Sequence, residues 1–133
     1  MNLIMEKDNL RGKKILIVED DMSSRLYLNT ILEREGVDLL NAEDGEEAVE
    51  LALKNDDIDI ILMDIQLPVI DGYAAMSKIR EVREDMIIIA QTAYGLLGDR
   101  ERIINSGFSD YIIKPIIHNS LIEKLRQNLS RSN

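Results

Sequence analysis

The sequence predicts an α/β fold, a parallel β-sheet covered by helices on both faces. Five short apolar runs alternate with five stretches of helical periodicity. The runs are near-continuous Ile, Val and Leu, as expected of strands buried on both sides. Four of the five also end in a polar or charged residue, which bears on function rather than fold.

Residues 1–12 read as a polar tail closed by Gly12. Ile15 to Val18 is the first strand, ended by Glu19-Asp20-Asp21. From Ser23 to Glu35, Leu28, Ile31 and Leu32 recur at helical spacing, and Gly36 stops the helix. Val37 to Leu40 is a short second strand. Asp44-Gly45 turns the chain into a helix from Glu46 to Lys54, with Ala48, Leu51 and Ala52 inward. Ile58 to Met63 is the third strand, and Asp71-Gly72 opens a helix from Tyr73 to Arg83. Met86 to Ala90 is the fourth strand, followed by a helix from Leu96 to Ser106 that Gly107 stops. Tyr111 to Ile113 is the fifth strand, ended by Lys114-Pro115. Ser120 with Glu123 reads as a capping box for the last helix, whose inner face is Leu121, Ile122, Leu125 and Leu129. One domain over 13–129 is expected, with tails at 1–12 and 130–133. The strand connections should be right-handed crossovers.

Composition narrows the function classes. The chain has 133 residues, enough for one core. Apolar residues make up 45% and charged residues 31%, which argues against disorder. There are no cysteines, so disulfides, thiolate chemistry and cysteine-held zinc are excluded. The formal net charge of −9 disfavours direct contact with nucleic acid and suits cations and basic partners. No apolar run is long enough to span a membrane, and the N-terminus lacks a signal peptide pattern. A cytoplasmic protein is expected.

Ligands of an open parallel sheet bind beyond the carboxyl ends of its strands. Glu19 and Asp20 follow the first strand here, Asp64 the third, Thr92 the fourth and Lys114 the fifth. Five independent polar residues rarely share one rim by chance. Carboxylates about 4 Å apart repel by roughly 4 kcal/mol per pair at an effective dielectric near 20. Lys114 offsets part of that repulsion. A hard divalent cation offsets more, and an oxygen-only ligand set favours Mg²⁺. Such a rim suits bringing a phosphoryl group to an aspartate nucleophile, with Mg²⁺ and Lys114 neutralising its oxygens. Taken singly, Asp64 could be a loop acid, Asp21 a helix-start acid and Thr92 a turn hydroxyl. His118, the only histidine, reads as a solvated surface residue rather than a phosphate carrier.

The segments ILIVEDD (15–21), LMDIQLPVIDG (62–72), QTAY (91–94) and SDYIIKP (109–115), together with Arg25, resemble the receiver domain of bacterial two-component response regulators. The resemblance covers residues 13–128. It implies a flavodoxin-like sheet in the order 2-1-3-4-5. It further implies Asp64 as phosphoacceptor, Asp20 as direct Mg²⁺ ligand, Glu19 as a ligand through water, and the Gln66 backbone carbonyl in the metal shell. Lys114 would pair with the phosphate, and Thr92 and Tyr111 would form the switch pair. The Lys114-Pro115 bond would be cis, which sequence alone does not give. A histidine kinase or histidine phosphotransfer protein would donate the phosphoryl group. A downstream protein partner would read the result, with the domain a monomer or a weak phosphorylation-dependent dimer.

Glu19 departs from the family's usual aspartate. Gln66 and Tyr94 lie two positions after Asp64 and Thr92 and supply no acid to activate water. A phosphoryl lifetime of minutes or longer is therefore expected. A Mg²⁺-dependent phosphohydrolase is the rival reading, but such enzymes place a second acid where Gln66 stands. A phosphate-independent interaction module is a third, against which the set of Asp64, Thr92 and Lys114 argues. No output domain is encoded, and the style of residues 91–116 resembles receivers of hybrid sensor kinases and phosphorelays. A stand-alone receiver and an excised one are both compatible with this.

Overall fold

Parallel strands form the centre of the molecule, and their order follows from which apolar runs need burial on both faces. The structure, a computed structural model, describes residues 9–93 and 97–131. The strands are β1 (Lys14–Val18), β2 (Asp38–Ala42), β3 (Ile60–Asp64), β4 (Ile87–Thr92) and β5 (Asp110–Ile113). The helices are α1 (Met22–Arg34), α2 (Gly45–Lys54), α3 (Gly72–Val82), α4 (Leu97–Ser106) and α5 (His118–Arg131). All strand pairs are parallel, in the order β2-β1-β3-β4-β5. This is the flavodoxin-like order that the resemblance implied.

Alternate side chains of each strand enter opposite cores. Leu16, Val18, Ile61, Met63, Ile88 and Ala90 pack against α2, α3 and α4. Ile15, Ile17, Ile60, Leu62, Ile89 and Ile112 pack against α1 and α5. The apolar runs of β1, β3 and β4 are uninterrupted because both faces are covered. The edge strand β2 is only half-buried over most of its length, consistent with its more polar sequence.

Three helices begin on an aspartate whose carboxylate accepts a hydrogen bond from the N–H three residues on. Asp21 serves Ser24, Asp44 serves Glu47, and Asp71 serves Ala74, at 2.8, 2.8 and 2.9 Å. In α2, Glu47 also reaches back to accept from the Glu43 N–H at 2.7 Å, a capping-box type of closure. The sequence placed that device at Ser120 instead. α5 begins two residues earlier, at His118, with Leu121 N–H donating to the Ile117 carbonyl at 2.9 Å, so Ser120 lies inside the first turn.

The ends also differ from expectation. Leu10 is fully buried in the α1/α5 core, and Gly12 N–H donates to the Gly36 carbonyl at 2.8 Å. Leu10 is therefore part of the core, although it reads as tail, whereas Asn9, Arg11 and Gly12 are exposed. α5 runs on to Arg131 rather than stopping at Leu129. Residues 1–8, 132 and 133, Tyr94, and the expected helix start at Leu96 lie outside the described residues. No helix among the described residues is long and apolar enough to cross a membrane.

Gly72 connects the fold to the rim, because α3 starts pressed against the end of β3. A Cβ there would stand 2.5 Å from the Asp64 carbonyl oxygen and 2.7 Å from Ile65 Cα, both backbone atoms. Gly72 N–H meanwhile donates to the Ile65 carbonyl at 2.8 Å. Gly72→Ala is expected to cost about 2 kcal/mol by overpacking. Urea unfolding checks this, and an unchanged midpoint would show that the loop after β3 yields freely.

Candidate functional site

Every polar residue that the sequence placed at the strand ends lies at one edge of the sheet, and three of the charged ones are in direct contact. Asp64 ends β3 and is 6% exposed. Its Oδ2 accepts from Lys114 Nζ at 2.6 Å, and its Oδ1 accepts from the Gln66 N–H at 3.0 Å. Lys114 Nζ also donates to Glu19 Oε1 at 3.2 Å. Glu19 is 1% exposed, and its Oε2 accepts from the Asp21 N–H at 3.2 Å. Arg25 donates to the Glu19 carbonyl at 2.9 Å and pairs with Glu43 at 3.5 Å, fixing the turn from β1 into α1.

Asp20 is exposed, yet carboxylate oxygens of Glu19, Asp20 and Asp64 all lie within 4.8 Å of one another. This is the oxygen-only set for which a hard divalent ion is suited. Asp21 is excluded from it, because its carboxylate caps α1. That capping hydrogen bond to Ser24 also holds the Asp21 carboxyl below its ordinary value. Thr92 ends β4, is 5% exposed, and its carbonyl accepts from the Lys114 N–H at 2.7 Å. The Lys114-Pro115 peptide is cis, as the resemblance implied.

Burial is the largest influence on Glu19 and raises its pKa; the neighbouring Asp64 charge adds to the rise, which Lys114 and the Asp21 N–H only partly offset. For Lys114, burial alone would lower the ammonium. Its hydrogen bond and attraction to Asp64, followed by those to Glu19, outweigh burial and hold the pKa above the ordinary value.

A cavity of about 160 Å³ opens beside Asp64, with Gln66, Tyr73, Thr92, Arg102 and Lys114 among its walls. A second space of about 400 Å³ lies between α1 and the β5–α5 turn, bounded by Tyr27, Leu28 and Ile116. Tyr27 Oη donates to the Ile116 carbonyl across it at 2.9 Å. Gln66 is exposed and lines the first cavity. Tyr111 is half-buried on β5, well away from the acid cluster in sequence but adjacent to β4 through the register Ala90 to Tyr111. His118 is exposed at the start of α5, as expected.

The sequence reading missed two residues of this edge. Gln91 pairs in register with Asp64, is fully buried, lines both cavities, and among the described residues neither of its amide atoms has a partner. A buried amide left unpaired costs about 1–3 kcal/mol. A polar residue within an apolar strand run was the available signal. Arg102 reaches the cavity from the second turn of α4, a helix that the sequence marked only by its bounds and the Gly107 stop. Val69, in the loop after Asp64, has φ 72, a conformation that a β-branched residue rarely adopts.

A model of the response regulator receiver domain family matches residues 15–126. The chain belongs to that family. It is a receiver domain of two-component signalling. The hybrid signal transduction histidine kinase I of Dictyostelium discoideum is 35% identical over 127 residues, 90% of this chain and 7% of the kinase. A probable transcriptional regulator, ycf27, of Guillardia theta is 36% identical over 132 residues, 99% of this chain and 51% of the regulator. The chain thus spans about half the length of such regulators, and far less of the kinase. Among solved structures, the receiver domain of a Pseudomonas aeruginosa PAO1 sensor histidine kinase, with magnesium coordinated in its active-site cleft, is similar at TM-score 0.82. It is 37% identical, over 90% of this chain and 98% of that one. The receiver domain of the Saccharomyces cerevisiae response regulator Ssk1, in complex with the phosphotransfer protein Ypd1, is similar at TM-score 0.81 and 29% identity. That likeness covers 87% of this chain and 88% of the other.

The raised Glu19 pKa has a consequence for stability. A carboxylate whose folded pKa exceeds its unfolded value of 4.5 opposes folding increasingly as the pH rises above 4.5, and in full once the pH is above the folded value. Glu19→Gln is therefore expected to be more stable than the wild type at pH 7 in magnesium-free buffer. The advantage should shrink as the pH falls toward 4.5, where the wild-type carboxyl is itself protonated. Urea midpoints of both proteins across that range check this, and a wild type more stable than the variant at pH 7 would reverse the sign.

Proposed function

We propose that Asp64 accepts a phosphoryl group from a phosphohistidine on a histidine kinase or histidine phosphotransfer protein, and that the acyl phosphate resets a partner-binding face. The observation that carries this reading is the buried Asp64 carboxylate, held by Lys114 at 2.6 Å and facing a cavity at the rim of a three-carboxylate cluster. An Asp64 carboxylate oxygen attacks phosphorus, the histidine N–P bond breaks, and the nitrogen keeps the bonding pair and later takes a proton. Lys114 orients the carboxylate beforehand and stays within reach of the phosphoryl oxygens afterwards. Thr92 presents its hydroxyl from the end of β4 to one of those oxygens.

Glu19, Asp20 and Asp64 would hold Mg²⁺, with the Gln66 backbone carbonyl completing the protein ligands. When bound, Mg²⁺ supplies positive charge to the cluster and to the phosphoryl oxygens. The closely spaced carboxylates and the raised Glu19 pKa support this, since both leave negative charge in need of compensation.

The surface around the site supports a protein donor. Met22, Leu26 and Tyr27 on α1 and Ile117 after the cis proline are large, apolar and exposed. Tyr27 links the two elements through its bond to Ile116. Such a patch beside the site fits a partner that brings a phosphohistidine to Asp64. The downstream reader would meet the face formed by α4, β5 and α5, where Tyr111 follows Thr92 inward on phosphorylation. The domain acts as a phosphoacceptor with no separate substrate to turn over, and the reading places it in the cytoplasm. We infer that the receiver unit includes the residues from Leu10 to Arg131.

With acetyl phosphate as donor, the wild type should acquire a hydroxylamine-sensitive label that requires Mg²⁺, and Asp64→Asn should lose it. A variant that labels like the wild type would refute Asp64 as acceptor. After donor removal, the label should decay over minutes or longer, because neither Gln66 nor Tyr94 is an acid that activates water. Loss within seconds, followed by ³²P release, would contradict that lifetime.

A further inference from the structure

The acid cluster and Lys114 leave a charge unaccounted for once Asp64 is phosphorylated. Glu19, Asp20 and Asp64 bring three negative charges, which Lys114 and a divalent ion balance. Phosphorylation replaces the single charge on Asp64 with nearly two, since a phosphoryl group carries about −1.5 to −2 at neutral pH. An excess of about half to one negative charge then sits in a small, partly enclosed cavity, where it is worth more than in open water.

Two cations line that cavity, Lys114 and Arg102. Lys114 is already shared between Asp64 and Glu19. Arg102 is not committed in this way. Its guanidinium carbon lies 4.6 Å over the centre of the Tyr73 ring, and among the described residues it forms no ion pair with a carboxylate. Asp99, one turn earlier on α4, also lines the cavity but does not pair with it. Tyr73 is itself fixed edge-on against Phe108, at 5.6 Å between ring centres. The guanidinium therefore rests on a rigid aromatic seat, and a contact of that kind at an exposed site is worth only about 0.5–1 kcal/mol. A charge-assisted bond to a phosphoryl oxygen is stronger, and a guanidinium offers it two donors at once.

We propose that Arg102 is a second phosphoryl-binding cation, which leaves the face of Tyr73 to engage the phosphoryl oxygens on Asp64. Because Arg102 belongs to α4, its movement draws that helix toward the modified strand end and transmits phosphorylation to the α4 surface. This inference rests on Asp64 being the acceptor.

The test uses beryllofluoride, an acyl-phosphate mimic, at saturating Mg²⁺ on the full chain. In the wild type, the Arg102 Nε–H resonance should shift on addition of beryllofluoride, and in Asp64→Asn it should not. Arg102→Gln should weaken beryllofluoride binding about tenfold, while Arg102→Lys, which keeps the charge, should lose less than threefold. Affinity for Mg²⁺ alone should be unchanged in both, because Arg102 is not in the acid cluster; a merely structural role would instead lower the urea midpoint and disturb Mg²⁺ and beryllofluoride alike. If the wild type binds beryllofluoride and Arg102→Gln binds it equally well, the inference fails while the acceptor reading stands. If the wild type neither binds beryllofluoride nor labels with acetyl phosphate, both fall together.

Discussion

One ammonium group joins the ends of three strands. Lys114, leaving β5, donates to Asp64 at the end of β3 and to Glu19 at the end of β1. Both carboxylates are buried, so each would be costly without a cation. The lysine does not cancel them: two carboxylates face one ammonium, and Asp20 adds a third just outside. The folded chain thus holds an electrostatic deficit at the place where its strands converge. Burial raises the Glu19 pKa and the Asp64 charge adds to the rise; the charge deficit makes a divalent ion and a cation-rich phosphoryl site physically reasonable. Stability and function compete here, as they do wherever a fold keeps like charges close.

The opposite edge of the sheet is built on another principle. Arg83 donates to the carbonyls of Ala52, Asn55 and Asp56, and Arg80 to those of Glu84, Met86 and Gly107. These arginines satisfy carbonyls at helix ends and loops, which would otherwise be orphaned. Fixed arginines hold the amino-terminal edge, while the carboxyl-terminal edge collects groups with unmet demand. A parallel sheet imposes this division, because its strands all deliver their C-termini to one side.

Much of this was legible in the sequence, for identifiable reasons. Apolar runs such as Ile60 to Met63 can only be strands buried on both sides, and Asp21, Asp44 and Asp71 mark helix starts by a short-range hydrogen bond. Glu19, Asp20, Asp64, Thr92 and Lys114 were legible because strand ends in a parallel sheet share an edge. Tertiary context accounts for what was not. Leu10 looked like tail because its apolar neighbours come from α1 and α5, far along the chain. Ser120 looked like a cap because S-x-x-E is a local pattern, whereas the true start of α5 depends on the turn after Lys114. Gln91 was read only as the first residue of the QTAY segment and Arg102 carries no motif; the register of β4 beside β3 and the seating of α4 on Tyr73 bring them to the cavity.

The surroundings of Tyr111 set an energy scale for its proposed switch role. Its ring has Lys124 Nζ at 5.5 Å from α5 and Arg100 Cζ at 5.9 Å from α4. Lys124 also pairs with Asp110 at 3.3 Å, and Asp110 accepts from the Asn128 amide at 2.9 Å. Moving the ring inward would give up two exposed cation–π contacts, together worth about 1–2 kcal/mol. A ligand shifts a two-state equilibrium only by its differential affinity, and a shift from 1:99 to 99:1 takes about 5.5 kcal/mol. Two strong charge-assisted bonds at Asp64, at about 1.5–3 kcal/mol each, come to about 3–6 kcal/mol and reach that size only together. On the proposed switch role of Tyr111, these cations would add about 1–2 kcal/mol to the cost of switching, which phosphorylation can exceed. On that proposed role the cost of switching would depend on α4 and α5 together, because Arg100 and Lys124 each hold the ring.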